Sequence, residues 1–124
     1  DVDYGRNEYL SEALRFEHSL FLATTVMSLG SGDRVVTDAG LKSLAVDSGL
    51  PTVWSAEGLS YLAANDEHGI VGFAAGSERP ELGRQLLLVP GHCDPTLNLH
   101  EELVAIRAGR VESIWPIAAR GLSR

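Results

Sequence analysis

The run Val89-Pro90-Gly91-His92-Cys93-Asp94-Pro95-Thr96-Leu97-Asn98-Leu99 gathers residues able to do chemistry. It leaves an apolar stretch and enters a turn. In extended backbone, positions i and i+2 point one way and i+1 the other. His92 and Asp94 are therefore expected to share a face, with Cys93 facing away. One imidazole and one carboxylate side by side make two ligands of a divalent ion. Gly91 allows close approach of the backbone, and Pro95 stiffens the exit. A closed structural zinc site takes four protein ligands, so this would be an open site completed by water or a bound molecule. The same residues also read as a polar turn whose Asp caps the next segment.

A second cluster is Asp66-Glu67-His68-Gly69. Adjacent carboxylates and a His perform acid–base chemistry when held in a cleft, which makes Asp66 and His68 pocket candidates. The competing reading is a solvated hairpin turn. Lys42 is the only lysine, and Schiff-base chemistry needs one. It lies just after the turn Asp38-Ala39-Gly40, where a solvated or salt-bridged side chain is the expectation. His18 and His100 lack patterned neighbours and read as surface or satisfied core residues. Phosphate-cradling glycine motifs, a GxSxG elbow and paired cysteines are all absent from the sequence.

The elements that must position these residues are short. Thirteen glycines punctuate the chain, and apolar runs separated by such breaks every eight to twelve residues or so suggest an all-β sandwich or barrel. Expected strands are Phe16 to Leu29 (long, central and covered on both faces), Arg34 to Thr37, Pro51 to Trp54, Leu59 to Ala63, His68 to Ala74 and Gln85 to Val89. The turn Asn65-Asp66-Glu67 joins two of them. Glu102 to Arg107 and Arg110 to Trp115 alternate around Ala108-Gly109 and predict a hairpin. Helical spacing occurs only near the start, at Tyr9, Leu10, Ala13 and Leu14. The fold expected is thus all-β, a sandwich or partly closed β-barrel with a short N-terminal helix, residues 1–124 forming one domain.

Composition bounds the function. The 124 residues are 44% hydrophobic and 22% charged, ordinary for a globular domain. The formal charge is −7, which disfavours nucleic acid and anionic membrane surfaces as partners. The longest stretch without a charge or His, Ser19 to Gly32, is too short and too polar for a membrane span. The single cysteine, Cys93, forms no internal disulfide and fits a reducing compartment, so a cytoplasmic location is expected. The only Met is Met27, which suggests a piece of something longer or a missing leader.

PGHCDPTLNL, preceded by DAGLKSLAVDSG, with DEHG between them and GRVESIWPIAARG after, resembles the C-terminal domain of D-threonine aldolases. With the D-serine dehydratases these are fold-type III, alanine-racemase-like enzymes that use pyridoxal phosphate (PLP). The four motifs occur in the family's order, over roughly Tyr4 to Gly121. The resemblance implies a β domain that completes an active site whose cofactor sits on a lysine of a separate barrel. Lys42 does not match that lysine, and the roughly 250 residues a (β/α)₈ barrel takes are absent here, so the fragment alone is expected to be inactive.

The resemblance further implies that His92 and Asp94 bind the divalent ion. The dehydratases instead have His-x-Cys and bind zinc. Here the thiol is at i+1 and a carboxylate at i+2, and oxygen ligands favour Mn²⁺ or Mg²⁺ over zinc. The implied reaction is retro-aldol cleavage of a β-hydroxy-D-amino acid such as D-threonine to glycine and an aldehyde. A base takes the hydroxyl proton, the Cα–Cβ bond breaks and the cofactor takes the electrons. The PLP-binding barrel and a homodimer are the implied partners. A D-serine dehydratase or racemase relative is one alternative, and a non-catalytic β dimerisation module is another.

Overall fold

A computed structural model describes residues 17–54 and 56–121. These form β1 (Leu22–Ser28), β2 (Arg34–Thr37), β3 (Thr52–Val53), β4 (Leu59–Ala64), β5 (Gly69–Phe73), β6 (Gln85–Val89), the short helix α1 (Cys93–Leu97), β7 (Glu102–Arg107) and β8 (Arg110–Pro116). The first six strands make one antiparallel sheet in the order β3-β6-β1-β2-β5-β4. Its two edge strands, β3 and β4, approach each other, so the sheet curls into a nearly closed barrel. Of the two architectures expected, the partly closed barrel is the one formed. The proposed N-terminal helix lies outside the described residues.

The strands are rich in Val, Thr, Ile and Leu, whose branched or bulky side chains pack well on a pleated surface. Alternation sends one set inward: Thr24 and Val26 of β1, Val35 and Thr37 of β2, Leu86 and Leu88 of β6 are all buried. With Ala39, Leu44, Val53, Tyr61 and Val71 the apolar members of this set form a single core cluster. β1 is bulged between Val26 and Ser28, and β4 between Tyr61 and Ala63. Such bulges add the bend a closing sheet needs.

Two expectations about β1 are corrected. The ladder starts at Leu22, paired with Leu88, rather than near Phe16. Just ahead of it, His18 meets Trp54 edge-on and Phe21 meets it at a tilt, with ring centroids 5.4 and 5.3 Å from that of Trp54. These side chains pack on a ring, and their backbone stays out of the ladder. Nor is β1 covered on both faces, since Met27 is 49% exposed. β3 is also shorter than Pro51 to Trp54, and β5 begins one residue after His68.

The loop after β2 is tied down on both sides. The Tyr61 hydroxyl donates to the Ala39 carbonyl at 2.6 Å, and burial pushes that phenol up to about 12. The Asp38 carboxylate accepts from the Thr24 hydroxyl and the Thr25 N–H, both at 2.7 Å. Burial alone would raise its pKa, but these donors outweigh burial and hold it below the ordinary carboxylate value. Asp38→Ala would leave the buried Thr24 hydroxyl without this acceptor. A loss of about 1–2 kcal/mol is expected, the low end because Asp38 itself is exposed, read as a lower urea midpoint. A lowered carboxylate stabilises above its unfolded pKa and stops doing so as pH falls through its folded one. The gap between wild type and variant should therefore close as pH falls through and below the ordinary carboxylate range.

β7 and β8 form a separate two-stranded hairpin. Ala108 (φ 49°) and Gly109 (φ 74°) make its two-residue turn with both φ positive, as the strand twist requires. Its Val104, Ile106, Val111, Ile114 and Trp115 are all more than half exposed. Among the described residues no helix is long and apolar enough to cross a membrane.

Candidate metal centre

β6 delivers the chain to the site. Val89 pairs with Thr52, and Pro90, Gly91 and His92 follow. Gly91 is there because of space: a Cβ at this position would collide with the Gly49 carbonyl. His92 is extended (φ −144°, ψ 123°) and is the residue from which α1 starts. The expectation of extended backbone through Asp94 is therefore corrected, because the chain turns helical at Cys93. The Thr96 hydroxyl stabilises this turn by donating to the His92 carbonyl at 2.7 Å, and Pro95 suits a first helical turn, where it forfeits no intrahelical bond. Cys93 is half-buried. Its placement opposite the pair can no longer be argued from strand alternation.

The pair itself is nonetheless brought together. His92 Nε2 lies 4.0 Å from Asp94 Oδ2, and the Asp94 side chain is 93% exposed. On the other edge of the ring, Nδ1 is 2.6 Å from Asp47 Oδ2 and 3.4 Å from Ser48 Oγ. A carboxylate only accepts, so Nδ1 carries the hydrogen and donates to Asp47. This bond holds the Asp47 carboxyl below its ordinary value.

Asp47 arrives on the loop between β2 and β3, which the helix region grips at three points. Ala45 N–H donates to Thr96 Oγ1 at 3.1 Å, His92 Nδ1 donates to Asp47, and His100 Nε2 donates to the Ser43 carbonyl at 2.8 Å. His100 is thus a satisfied structural histidine, as its lack of patterned neighbours suggested. Sequence reasoning missed Asp47, Ser48 and Thr96 as parts of the site. Asp47-Ser48-Gly49 carries a turn signal, but nothing in the sequence pairs it with position 92.

The donor set fits a hard divalent ion. Bonds of about 2.1 Å from Nε2 and Oδ2 can meet across a 4.0 Å gap, and the exposed Asp94 can rotate inward. Among the described residues no three His, Cys, Asp or Glu side chains are grouped to hold a metal. Two protein ligands would leave the remaining positions of such an ion to water or substrate.

The second cluster folds differently. Asp66 and His68 belong to the β4–β5 turn and line an open depression with Leu41, Lys42, Asn65 and Glu67. Gly40 sits so close to this turn that a Cβ would collide with its backbone. Leu41 and Lys42 N–H groups donate to the Asn65 and Asp66 carbonyls, each at 2.8 Å. Lys42 Nζ donates to Glu67 Oε1 at 2.7 Å. That bond raises the lysine's pKa and lowers the glutamate's. A more firmly protonated amine is the opposite of an activated one, so Lys42 does not fit a cofactor lysine.

Residues 19–106 match the family described as "Putative serine dehydratase domain". The chain belongs to this serine dehydratase domain family. It is 53% identical over 124 residues to a D-threonine aldolase of Arthrobacter sp., covering 100% of this chain and 32% of that protein. It is 44% identical over 126 residues to a 3-hydroxy-D-aspartate aldolase of Paracoccus denitrificans, covering 98% and 32%. The crystal structure of D-threonine aldolase from Filomicrobium marinum superposes with a TM-score of 0.91 at 41% identity, over 98% of this chain and 33% of that one. The chain thus spans about a third of the length of these relatives. The serine dehydratase domain is here the curled sheet, the loop that carries Asp47, and the first strand of the hairpin.

Proposed function

We propose that this chain is the metal-holding β domain of a PLP-dependent lyase that cleaves β-hydroxy-D-amino acids, D-threonine among them, to glycine and an aldehyde. The observation that carries this reading is the approach of His92 Nε2 to Asp94 Oδ2, 4.0 Å apart, in a serine dehydratase domain whose aldolase relatives are named for β-hydroxy-D-amino acid substrates. A carboxylate at position 94, rather than a thiolate, favours Mn²⁺ or Mg²⁺ and hence the aldolase over the dehydratase.

His92 and Asp94 would hold the ion. Bound there, it would polarise the substrate's β-hydroxyl and lower its pKa. The exposure of Asp94 leaves room for the substrate to approach. Asp66 and His68 are the acid–base candidates of this reading, held on a turn that the Gly40–Lys42 segment clamps. PLP would sit on a barrel contributed by further protein, since Lys42 is engaged with Glu67. The exposed apolar side chains of the β7–β8 hairpin suit a surface that other protein covers, which agrees with a barrel partner and a homodimer.

The test is metal removal. Full-length protein treated with chelator should lose D-threonine cleavage, and Mn²⁺ should restore it. Its PLP absorption band should persist throughout. Ammonia release from D-serine, dependent on zinc, would instead identify a dehydratase.

A further inference from the structure

We propose that Glu67 sets the charge preference for the substrate's β-substituent: by holding the Lys42 ammonium it keeps the depression beside Asp66 and His68 unfavourable to a second carboxylate, so that β-hydroxy-D-amino acids with an uncharged side-chain end are preferred. This deepens the aldolase reading and rests on it. In that reading Asp66 or His68 exchanges a proton with the β-hydroxyl. A group doing so lies within hydrogen-bond reach, about 2.6–3.2 Å, and the β-substituent hangs from the same carbon as that hydroxyl. The charges it meets are then those lining the same depression. Among the described residues lining it, Lys42 is the only Lys or Arg, and two carboxylates, Asp66 and Glu67, outnumber it.

The backbone holds these groups in register. Leu41 and Lys42 N–H donate to the Asn65 and Asp66 carbonyls, and Asn65 N–H donates to the His68 carbonyl, all at 2.8 Å. Lys42 Nζ then reaches Glu67 Oε1 at 2.7 Å. Both side chains are mostly exposed, 67% and 62%, so a bound molecule can meet either one. An ammonium is a strong partner for a carboxylate, and here Glu67 already occupies it. The same segment leads on to the metal pair, since Asp47 meets His92 Nδ1 at 2.6 Å. The stretch from Lys42 to Asp47 spans at most roughly 18 Å when fully extended. The turn at its start, where Ser43 and Leu44 N–H donate to the Gly40 carbonyl at 2.9 and 3.0 Å, shortens it.

The experiment uses full-length protein and two probes, D-threonine and 3-hydroxy-D-aspartate, which differ in carrying a methyl or a carboxylate on the β-carbon. The readout is the ratio of kcat/KM for 3-hydroxy-D-aspartate to that for D-threonine. Wild type should favour D-threonine. Glu67→Gln keeps an acceptor for Lys42 but removes the charge, and should raise the ratio about two- to fivefold, the scale of an exposed ion pair, mainly through a lower KM for 3-hydroxy-D-aspartate. Lys42→Met should lower the ratio below wild type. Both shifts should shrink in about 0.5 M salt, which screens exposed charges; a merely structural role for the pair would not give opposite, salt-sensitive shifts. If wild type cleaves neither probe, the aldolase reading fails and the role of Glu67 fails with it. If wild type cleaves D-threonine but the ratio in Glu67→Gln is unchanged or lower, the aldolase reading stands and the role of Glu67 is overturned, as it is if wild type prefers 3-hydroxy-D-aspartate. Should Glu67→Gln not fold, Lys42→Met decides: an unchanged or higher ratio overturns the proposal.

Discussion

His92→Ala and Asp94→Ala, made separately in the full-length protein, should each abolish metal-dependent cleavage of D-threonine while the protein stays folded and keeps its PLP absorption band. A Lewis-acidic ion contributes several kcal/mol to transition-state stabilisation, and each 1.36 kcal/mol is a factor of ten in rate. A loss of about a thousandfold or more is expected. Stability should barely change at position 94, because the Asp94 side chain is 93% exposed and exposed substitutions usually stay within about 0.5 kcal/mol. That contrast separates a ligand from a structural turn. The measurements are initial rates with saturating Mn²⁺ and after chelation, beside urea unfolding. Both variants retaining full activity after chelation would mean that His92 and Asp94 form an ordinary polar turn.

Gly91→Ala should lower stability by about 2–3 kcal/mol and weaken Mn²⁺ binding at the same time. The new Cβ would collide with the Gly49 carbonyl oxygen and stand 3.0 Å from its carbon. Both atoms are backbone, so no flexible side chain can swing aside. Overpacking of this kind typically costs about 1–3 kcal/mol. Gly49 has φ 111° and closes the turn that carries Asp47. Relief must push that turn away from His92, which is why the stability loss and the metal loss should appear together. An unchanged urea midpoint would show that the Gly91 and Gly49 backbones are not in contact. Gly40→Ala makes the companion experiment, since its Cβ would meet His68 N at 2.6 Å. It should destabilise without touching the metal.

Much of the strand pattern was legible because it is local physics. β2 and β6 came out with the expected bounds, and the β7–β8 hairpin could be read from alternation around Ala108-Gly109. Where the reading failed, neighbours distant in sequence had intervened. His18 and Phe21 lie ahead of the ladder with their rings against Trp54, and periodicity cannot show that. The helix at Cys93–Leu97 lies in a run that spacing alone allowed to continue as a strand. It forms where the buried Thr96 hydroxyl bonds the His92 carbonyl and accepts from Ala45, a residue of another segment.

The candidate site divides in the same way. Residue types and spacing by themselves determined that His92 and Asp94 could act as a pair, since two positions so close in the chain can meet in either an extended or a turning backbone. They also determined that a carboxylate stands at position 94, while its contrast with a dehydratase thiolate came from the resemblance. Only the tertiary structure decided that His92 Nδ1 meets Asp47, 45 residues away. It likewise decided that Lys42 is engaged with Glu67 across 25 residues. Both are through-space contacts between charged or polar groups on different loops. Chain spacing carries no trace of them until the sheet closes and brings the loops together.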